Sequence, residues 1–332
     1  MFSGKKILIT GGTGSLGRAL TQKFLETNAD TIRIFSRDEL KQVQMKSELN
    51  DERLRFLIGD VRDKERLLRA LEDIDIVIHA AALKHVPVAE YNPFEAVKTN
   101  VNGSQNVLEA CLDKNVEIAL AVGTDKAVSP LNTYGATKLL MERLFVSSNS
   151  YKGKHRKDQK FLCVRYGNVL GSRGSIVPTF VNQIKAGKKI TITDPSMTRF
   201  NITMDQALDL IFRALDKGIG GQVYIPKLKA YKVEDMKNAI IEIMNSDNET
   251  EIISTRQGEK HHEILINNDE LRNAFQTKDD YVLYEKEIQD NEVMKAQGLE
   301  KIDLTEQYSS DKVPLLTKDK LKSILIKEKL VN

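Results

Sequence analysis

The stretch Thr10-Gly11-Gly12-Thr13-Gly14-Ser15-Leu16-Gly17 constrains this chain more than any other. The apolar run Lys6 to Thr10 reads as a buried strand before it, and helix-period residues from Leu16 to Leu25 follow. Gly12, Gly14 and Gly17 meet the G-x-G-x-x-G spacing. Such glycines permit a tight turn and a close backbone approach to a pyrophosphate, and the helix behind them offers free N–H groups and a positive dipole end. A glycine turn before a helix is also a common structural device, so the surrounding βαβ pattern has to decide. That pattern continues through strands at Thr31 to Phe35, Arg55 to Ile58, Ile74 to His79, Val116 to Val122 and Phe161 to Arg165. Near-continuous Ile, Val and Leu runs with helices between them imply a parallel sheet covered on both faces. The fold class is α/β, a doubly wound parallel-sheet Rossmann domain over residues 1–165. Residues 166–332 read as a smaller substrate-binding domain with segments returning to the sheet, among them a helix from Asp205 to Leu215. The charged stretch from Lys278 onward reads as a C-terminal appendage or an oligomer contact, ending in an amphipathic helix around Lys318 to Leu330.

A chain of 332 residues can bury a sizeable core. Its 50 basic and 47 acidic side chains leave a formal charge of +3, and no Lys/Arg run is interleaved with aromatics, which argues against a nucleic-acid partner. The two cysteines, Cys111 and Cys163, are too far apart for a metal knuckle or a disulfide framework. A reducing compartment, the cytoplasm, and no metal site are therefore expected. No apolar stretch is long enough for a bilayer, and Met1 to Lys6 leaves no room for a signal peptide, so no membrane association is expected.

The end of the second strand decides which dinucleotide the loop would hold. An NAD site offers an acidic residue to the ribose there. This chain reads Ser36-Arg37-Asp38-Glu39-Leu40-Lys41. Arg37, with Ser36 and Lys41, can grip a 2′-phosphate, which favours NADP, while Asp38 argues the other way. Asp60, after the third strand, is placed to accept from an adenine amino group, or to cap a helix from Arg62 to Leu71. Tyr134 and Lys138 lie one helical turn apart on one face. A phenolate is favoured beside a lysine ammonium and a nicotinamide cation, and can exchange a hydroxyl proton during hydride transfer. Thr124, just past the fifth strand, fits as the hydroxyl that bonds the reacting oxygen. Asp125 and Lys126 follow it directly. They can be a solvated turn pair, or an acid and a base over the nicotinamide edge. Lys126 can act as the base if cationic neighbours and desolvation lower its pKa.

These motifs resemble the extended short-chain dehydrogenases/reductases. Ser36 to Lys41, Ala80-Ala81-Ala82-Leu83-Lys84-His85-Val86-Pro87, Thr124-Asp125-Lys126-Ala127, Arg165-Tyr166-Gly167-Asn168-Val169, Met197-Thr198-Arg199-Phe200 and Arg256-Gln257-Gly258-Glu259-Lys260 narrow the resemblance. They are similar to the UDP-N-acetylglucosamine 4,6-dehydratases, over nearly the whole chain from Ile7 to about Ser310. The short enzymes of the pseudaminic-acid route, which invert C5, fit best. The resemblance implies a catalytic set of Thr124, Asp125, Lys126, Tyr134 and Lys138. It implies an NADP set of Gly11, Thr13, Gly14, Ser15, Leu16, Gly17, Ser36, Arg37, Asp38, Glu39, Leu40, Lys41, Asp60, Val61, Ala80, Val169 and Arg173, together with Thr124, Tyr134 and Lys138. Lys84, Asn168, Ile176, Thr193, Arg199, Arg256 and Glu259 would then face a UDP-N-acetylglucosamine substrate. The Arg-x-Gly-Glu turn in particular offers a diphosphate clamp and a carboxylate for a ribose diol. Asn100 reads as structural, bridging a helix to the active-site strand. Relatives assemble as oligomers, so a homo-oligomer is expected. A nucleotide-sugar 4-epimerase, a C5-retaining dehydratase and a non-catalytic nucleotide sensor stay open as alternatives.

Overall fold

The computed structural model describes residues 1–156, 158–172, 174–255, 258–285, 294 and 297–331. The first winding runs β1 (Lys6–Thr10), α1 (Ser15–Leu25), β2 (Thr31–Ser36), α2 (Glu39–Leu49), β3 (Leu54–Ile58) and α3 (Lys64–Ala70). The second runs β4 (Ile76–His79), short helices α4 (Val86–Tyr91) and α5 (Pro93–Val97), α6 (Gly103–Asp113), β5 (Ile118–Val122), α7 (Thr133–Tyr151) and β6 (Lys160–Val164). Next come α8 (Ile176–Lys185), β7 (Ile190–Ile192), β8 (Thr198–Phe200), α9 (Met204–Lys217), β9 (Gln222–Pro226), β10 (Ala230–Lys232), α10 (Val233–Met244) and β11 (Thr250–Ile252). The order closes with β12 (Ile264–Ile266), β13 (Ala274–Gln276), β14 (Asp280–Tyr284), β15 (Glu300–Lys301), β16 (Tyr308–Ser309) and α11 (Lys318–Lys327).

Ten strands form one sheet in the order β15-β13-β14-β9-β6-β5-β4-β1-β2-β3. From β3 across to β9 every pair is parallel, as the runs Ile7-Leu8-Ile9 and Ile76-Val77-Ile78, buried on both faces, require. The winding reverses between β1 and β4, which opens a crevice beyond their carboxyl ends. This is a Rossmann-type α/β fold.

The last third does more than the sequence announces. β13, β14 and β15 add an antiparallel edge to the sheet. Asp280 hides the signal, because a charged residue opens the apolar strand Tyr281-Val282-Leu283. It is tolerated in the interior because Arg213 donates from Nε and Nη2 to its two oxygens, 2.6 Å each. The final helix α11 buries Leu321 and Leu325 in a second core, with α8 and α10. Its other face carries the charges that made the segment read as an appendage.

Candidate active site

The crevice is a cleft of about 650 Å³, lined by the glycine loop, the ends of β2, β3 and β4, and the start of α7. Gly11 sits at φ +66°, and a Cβ there would lie 2.9 Å from the Ala81 backbone. Glycine therefore lets the loop fold close over the next strand. Gly14 is the N-cap of α1, with no side-chain cap and no acidic residue in the first turn. The positive helix end is left for an anion. Ser36 is fixed by Gln42, whose Nε2 donates to the Ser36 carbonyl at 2.9 Å and to Leu57 O at 3.0 Å.

Asp38 caps α2 by accepting from Lys41 N at 3.0 Å, and it also pairs with the Lys41 ammonium. Its carboxylate is thereby engaged within its own helix turn. Arg37 stands 3.7 Å from Asp60 across the cleft edge. Asp60 does not cap the following helix. That place belongs to Asp63, which accepts from Arg66 N, whereas Asp60 binds Arg62 through Nε and Nη2 at 3.0 and 2.8 Å. Burial works to raise the Asp60 carboxyl, but Arg62 and then Arg37 outweigh it and hold it below the ordinary value. Ser36, Arg37, Asp38, Lys41, Asp60, Val61, Ala80 and Val169 all line the cleft with the glycine loop, while Glu39 and Leu40 do not. A glycine cradle, an open helix end and cations at the ribose end suit a dinucleotide.

At the other end, Thr124 opens a 3₁₀ turn, Asp125–Ala127, immediately after β5. Thr124 Oγ1 donates to Asp125 Oδ1 at 2.9 Å, and Lys126 Nζ donates to the same oxygen at 3.1 Å and to Asn168 Oδ1 at 3.2 Å. The turn fits against α7 only because residue 135 is glycine, since a Cβ there would sit 2.1 Å from Lys126 O. Asn132 caps α7 by accepting from Gly135 N at 2.8 Å, and its Nδ2 donates to Gly258 O at 2.9 Å. Gly258 is thus tied to the helix that carries Tyr134. Asn100 bridges, but to the loop after β4 and to α7 rather than to a strand, with Oδ1 accepting from Leu83 N at 2.8 Å and Nδ2 donating to Thr137 Oγ1 at 3.0 Å.

The charges differ from expectation. Burial acts to lower the Lys126 ammonium, but Asp125 and Glu263, with Tyr134 beside them, outweigh it and hold it above the ordinary lysine value. Lys126 is therefore an ammonium in this state. The anticipated cationic neighbours are instead two carboxylates. Burial raises the Tyr134 phenol, offset only in part by Lys126 and by a hydrogen bond with Thr124. The cation acting on Tyr134 is Lys126, whereas Lys138 is buried against Met141 Sδ at 2.8 Å. Burial brings the Lys138 amine down to about 8.

On the substrate side, Lys84 and Asn168 line the cleft. Ile176 is the first residue of α8, and Thr193 donates to Met197 Sδ at 3.4 Å; neither lines the cleft. Arg199 stands behind it, 3.3 Å from Glu259. Arg173 and Arg256 lie outside the described residues. Sequence reasoning missed Glu263. Its side chain is 5 % exposed, and its Oε1 lies 3.5 Å from Lys126 Nζ and 3.8 Å from Arg199 Nε. Its one signal was a carboxylate opening the apolar strand Ile264-Leu265-Ile266.

Chemically, the arrangement places a hydroxyl and a phenol at one end of a dinucleotide-shaped cleft, with the lysine–carboxylate pair hydrogen-bonded behind the hydroxyl and not among the residues that line the cleft. The family described as "Polysaccharide biosynthesis protein" matches this chain over residues 7–285. A UDP-N-acetylglucosamine 4,6-dehydratase (inverting) of Campylobacter jejuni is 47% identical over 285 residues, covering 85% of this chain and 84% of that one. An uncharacterized membrane protein of Methanocaldococcus jannaschii is 44% identical over 331 residues, 98% of this chain and 96% of its own. A UDP-glucose 4-epimerase of Rickettsia rickettsii is 42% identical over 334 residues, again 98% and 96%. The X-ray structure of Pen from Bacillus thuringiensis superposes with a TM-score of 0.92 at 38% identity, covering 100% of this chain and 99% of that one. Among the described residues, no helix is long and apolar enough to cross a membrane. With the glycine loop, the Thr-Asp-Lys turn and the Tyr-x-x-x-Lys helix all inside the matched stretch, this chain belongs to the polysaccharide biosynthesis protein family and is a homologue of the Campylobacter inverting dehydratases.

Proposed function

We propose that this protein dehydrates UDP-N-acetylglucosamine to UDP-2-acetamido-2,6-dideoxy-β-L-arabino-hex-4-ulose, an NADP-dependent 4,6-dehydration with inversion at C5. The observation that carries the reading is the Asp125–Lys126 pair, hydrogen-bonded at 3.1 Å behind Thr124. A 4-epimerase needs only the hydroxyl, the tyrosine and the second lysine. The Campylobacter relatives named for this activity support the reading. Residues 1–165 would hold the cofactor and 166–332 the substrate. The enzyme would be a cytoplasmic lyase and homo-oligomer that retains its NADP, serving a surface-polysaccharide route of the pseudaminic-acid kind. Ser36, Arg37 and Lys41 favour NADP, and the capping role of Asp38 takes away the main argument for NAD.

The bound dinucleotide would supply the acceptor for the C4 hydride and give the same hydride back to C6. Tyr134, hydrogen-bonded to Thr124, rests as a phenol; its phenolate, which Lys126 and a bound nicotinamide cation would favour, is the form that takes the C4 hydroxyl proton. The C4 ketone acidifies the C5 proton. Because Lys126 rests as an ammonium, one proton shift along its hydrogen bond to Asp125 creates both an amine base and a carboxylic acid. The amine removes the C5 proton, and Asp125 protonates the C6 hydroxyl as it leaves as water. The pair then stands again as ammonium and carboxylate, so its proton balance closes. The proton that Tyr134 took, passed on directly or by exchange with solvent, balances the one returned to the C5 face opposite Lys126, which gives inversion.

Incubating the purified protein with UDP-N-acetylglucosamine in D2O tests this reading. A product lighter by one water, with deuterium at an inverted C5, is expected. An isomer of unchanged mass would favour the epimerase reading, which the Rickettsia relatives' name supports. Binding without turnover of any UDP-sugar would favour a sensor.

A further inference from the structure

We infer that Glu263 is a positioning residue of the dehydration centre that acts through Lys126, holding the ammonium from the side opposite Asp125 without taking its proton. The inference rests on the assignment of Lys126 as the C5 base. Three features of the site carry it.

Lys126 is bracketed by two carboxylates, but unequally. It makes a hydrogen bond to Asp125 at 3.1 Å, whereas Glu263 lies at 3.5 Å in an ion pair without a hydrogen bond. Attraction comes from both sides, while the proton path leads to Asp125 alone. Next, Glu263 is not explained by Arg199. That guanidinium has Glu259 at 3.3 Å and is farther from Glu263 than Lys126 is. Finally, Glu263 is buried with its Oε2 lacking a hydrogen-bond partner among the described residues, although its backbone is fixed by Ser310. A buried carboxylate with an idle oxygen costs stability and calls for a reason other than structure. Backbone placement just before β12, with Glu263 N donating to Ser310 Oγ, holds the carboxylate facing the amine.

Holding Lys126 this way keeps the amine on Asp125 and Asn168, to both of which it donates, instead of letting it turn to solvent. It also sets the pH range in which the Asp125–Lys126 pair holds a single proton, which is the active form. Among the described residues, the other titratable groups facing the pair are Tyr134 from α7, Arg199 from β8, Tyr231 from β10, and Glu259 and Lys260 before β12. Glu263 also acts on Arg199, Tyr231 and Lys260, so the assignment to the pair rests on C5 exchange moving while nicotinamide reduction does not. Removing one negative charge lowers the proton affinity of the pair as a whole, so both limbs of its pH profile move the same way. An opposite charge this close shifts a titration by about 1–3 pH units.

The test is the pH profile of deuterium incorporation at C5 in the holoenzyme with UDP-N-acetylglucosamine, for wild type, Glu263→Gln and Glu263→Asp. Cofactor content and the first reduction of the nicotinamide are followed alongside. Glu263→Gln should displace the profile about 1–3 pH units to lower pH. It should lower kcat for water loss at least tenfold with KM within a few-fold, and leave nicotinamide reduction intact. Glu263→Asp, with its charge one methylene farther back, should move the profile the same way by less. If Glu263→Gln fails to fold, an unmoved profile in Glu263→Asp overturns the inference. So does a fall in rate with unmoved limbs, which marks a merely structural residue, or a loss of nicotinamide reduction, which puts Glu263 on the wrong step. The base assignment fails separately, if Lys126→Met keeps C5 exchange at the wild-type rate.

Discussion

Replacing Lys126 by methionine removes the amine and keeps most of the side-chain volume. Two effects follow, and the structure separates them. The first is on stability. Asp125 and Glu263, with side chains 2 % and 5 % exposed, lose the cation they share at 3.1 and 3.5 Å. Breaking a buried pair costs about 3–5 kcal/mol. Lys126 is 18 % exposed, and Glu263 keeps Arg199 while Asp125 keeps Thr124, so the lower end, about 3 kcal/mol, is expected. The second effect is on chemistry. A positioned base contributes about 10²–10⁴-fold, or about 3–5.5 kcal/mol of barrier. Tyr134 and Thr124 are retained, though Tyr134 loses the cation that favours its phenolate, so C4 oxidation should slow but proceed, and the near-ultraviolet absorbance of reduced nicotinamide should still accumulate in a single turnover. Water loss, read by mass spectrometry, should fall by the full factor, and C5 should stay free of deuterium. Water loss within tenfold of wild type at equal cofactor content would remove Lys126 from the mechanism. Failure of the absorbance to rise would mean that Lys126 serves Tyr134 instead, as the cation nearest that phenol.

Arg37→Ala, titrated by nicotinamide fluorescence in cofactor-stripped protein, should weaken NADP by about 10–150-fold, the worth of a charged hydrogen bond, and leave NAD nearly unchanged; equal losses would refute the 2′-phosphate role. Gly135→Ala places a Cβ 2.1 Å from Lys126 O and should shift the turn against α7. We expect about 1–3 kcal/mol of lost stability in a denaturant melt and at least tenfold slower water loss; wild-type turnover would mean the turn yields freely. Lys138 has its amine brought by burial from 10.5 down to about 8, so the cofactor-free unfolded chain holds the extra proton between those values. Stability of wild type relative to Lys138→Met should therefore rise by up to about 3 kcal/mol as pH climbs from about 8 to 10.5, and a difference flat with pH speaks against it.

The fold was legible because its signals are local. Ile7-Leu8-Ile9 announces a strand buried on both faces without reference to anything distant, and the glycine loop follows it at once. β14 escaped because the Asp280 that opens it is compensated by Arg213, in another helix far along the chain, and α11 because its charged face conceals Leu321 and Leu325. The site divides the same way. Thr124, Asp125 and Lys126 are chain neighbours, so their chemistry could be read as a unit. The direction of the Lys126 shift could not, since it depends on Glu263, brought in from just before β12, far along the chain. Adjacency tells which groups can exchange a proton, but the fixed charges around them decide where that proton rests. Here it rests on the lysine, so in the proposed reaction the base would have to be made on each cycle by a transfer to Asp125. The acid for the leaving hydroxyl would be made in that same transfer, which would couple removal of the C5 proton to loss of water and leave neither group armed without the other.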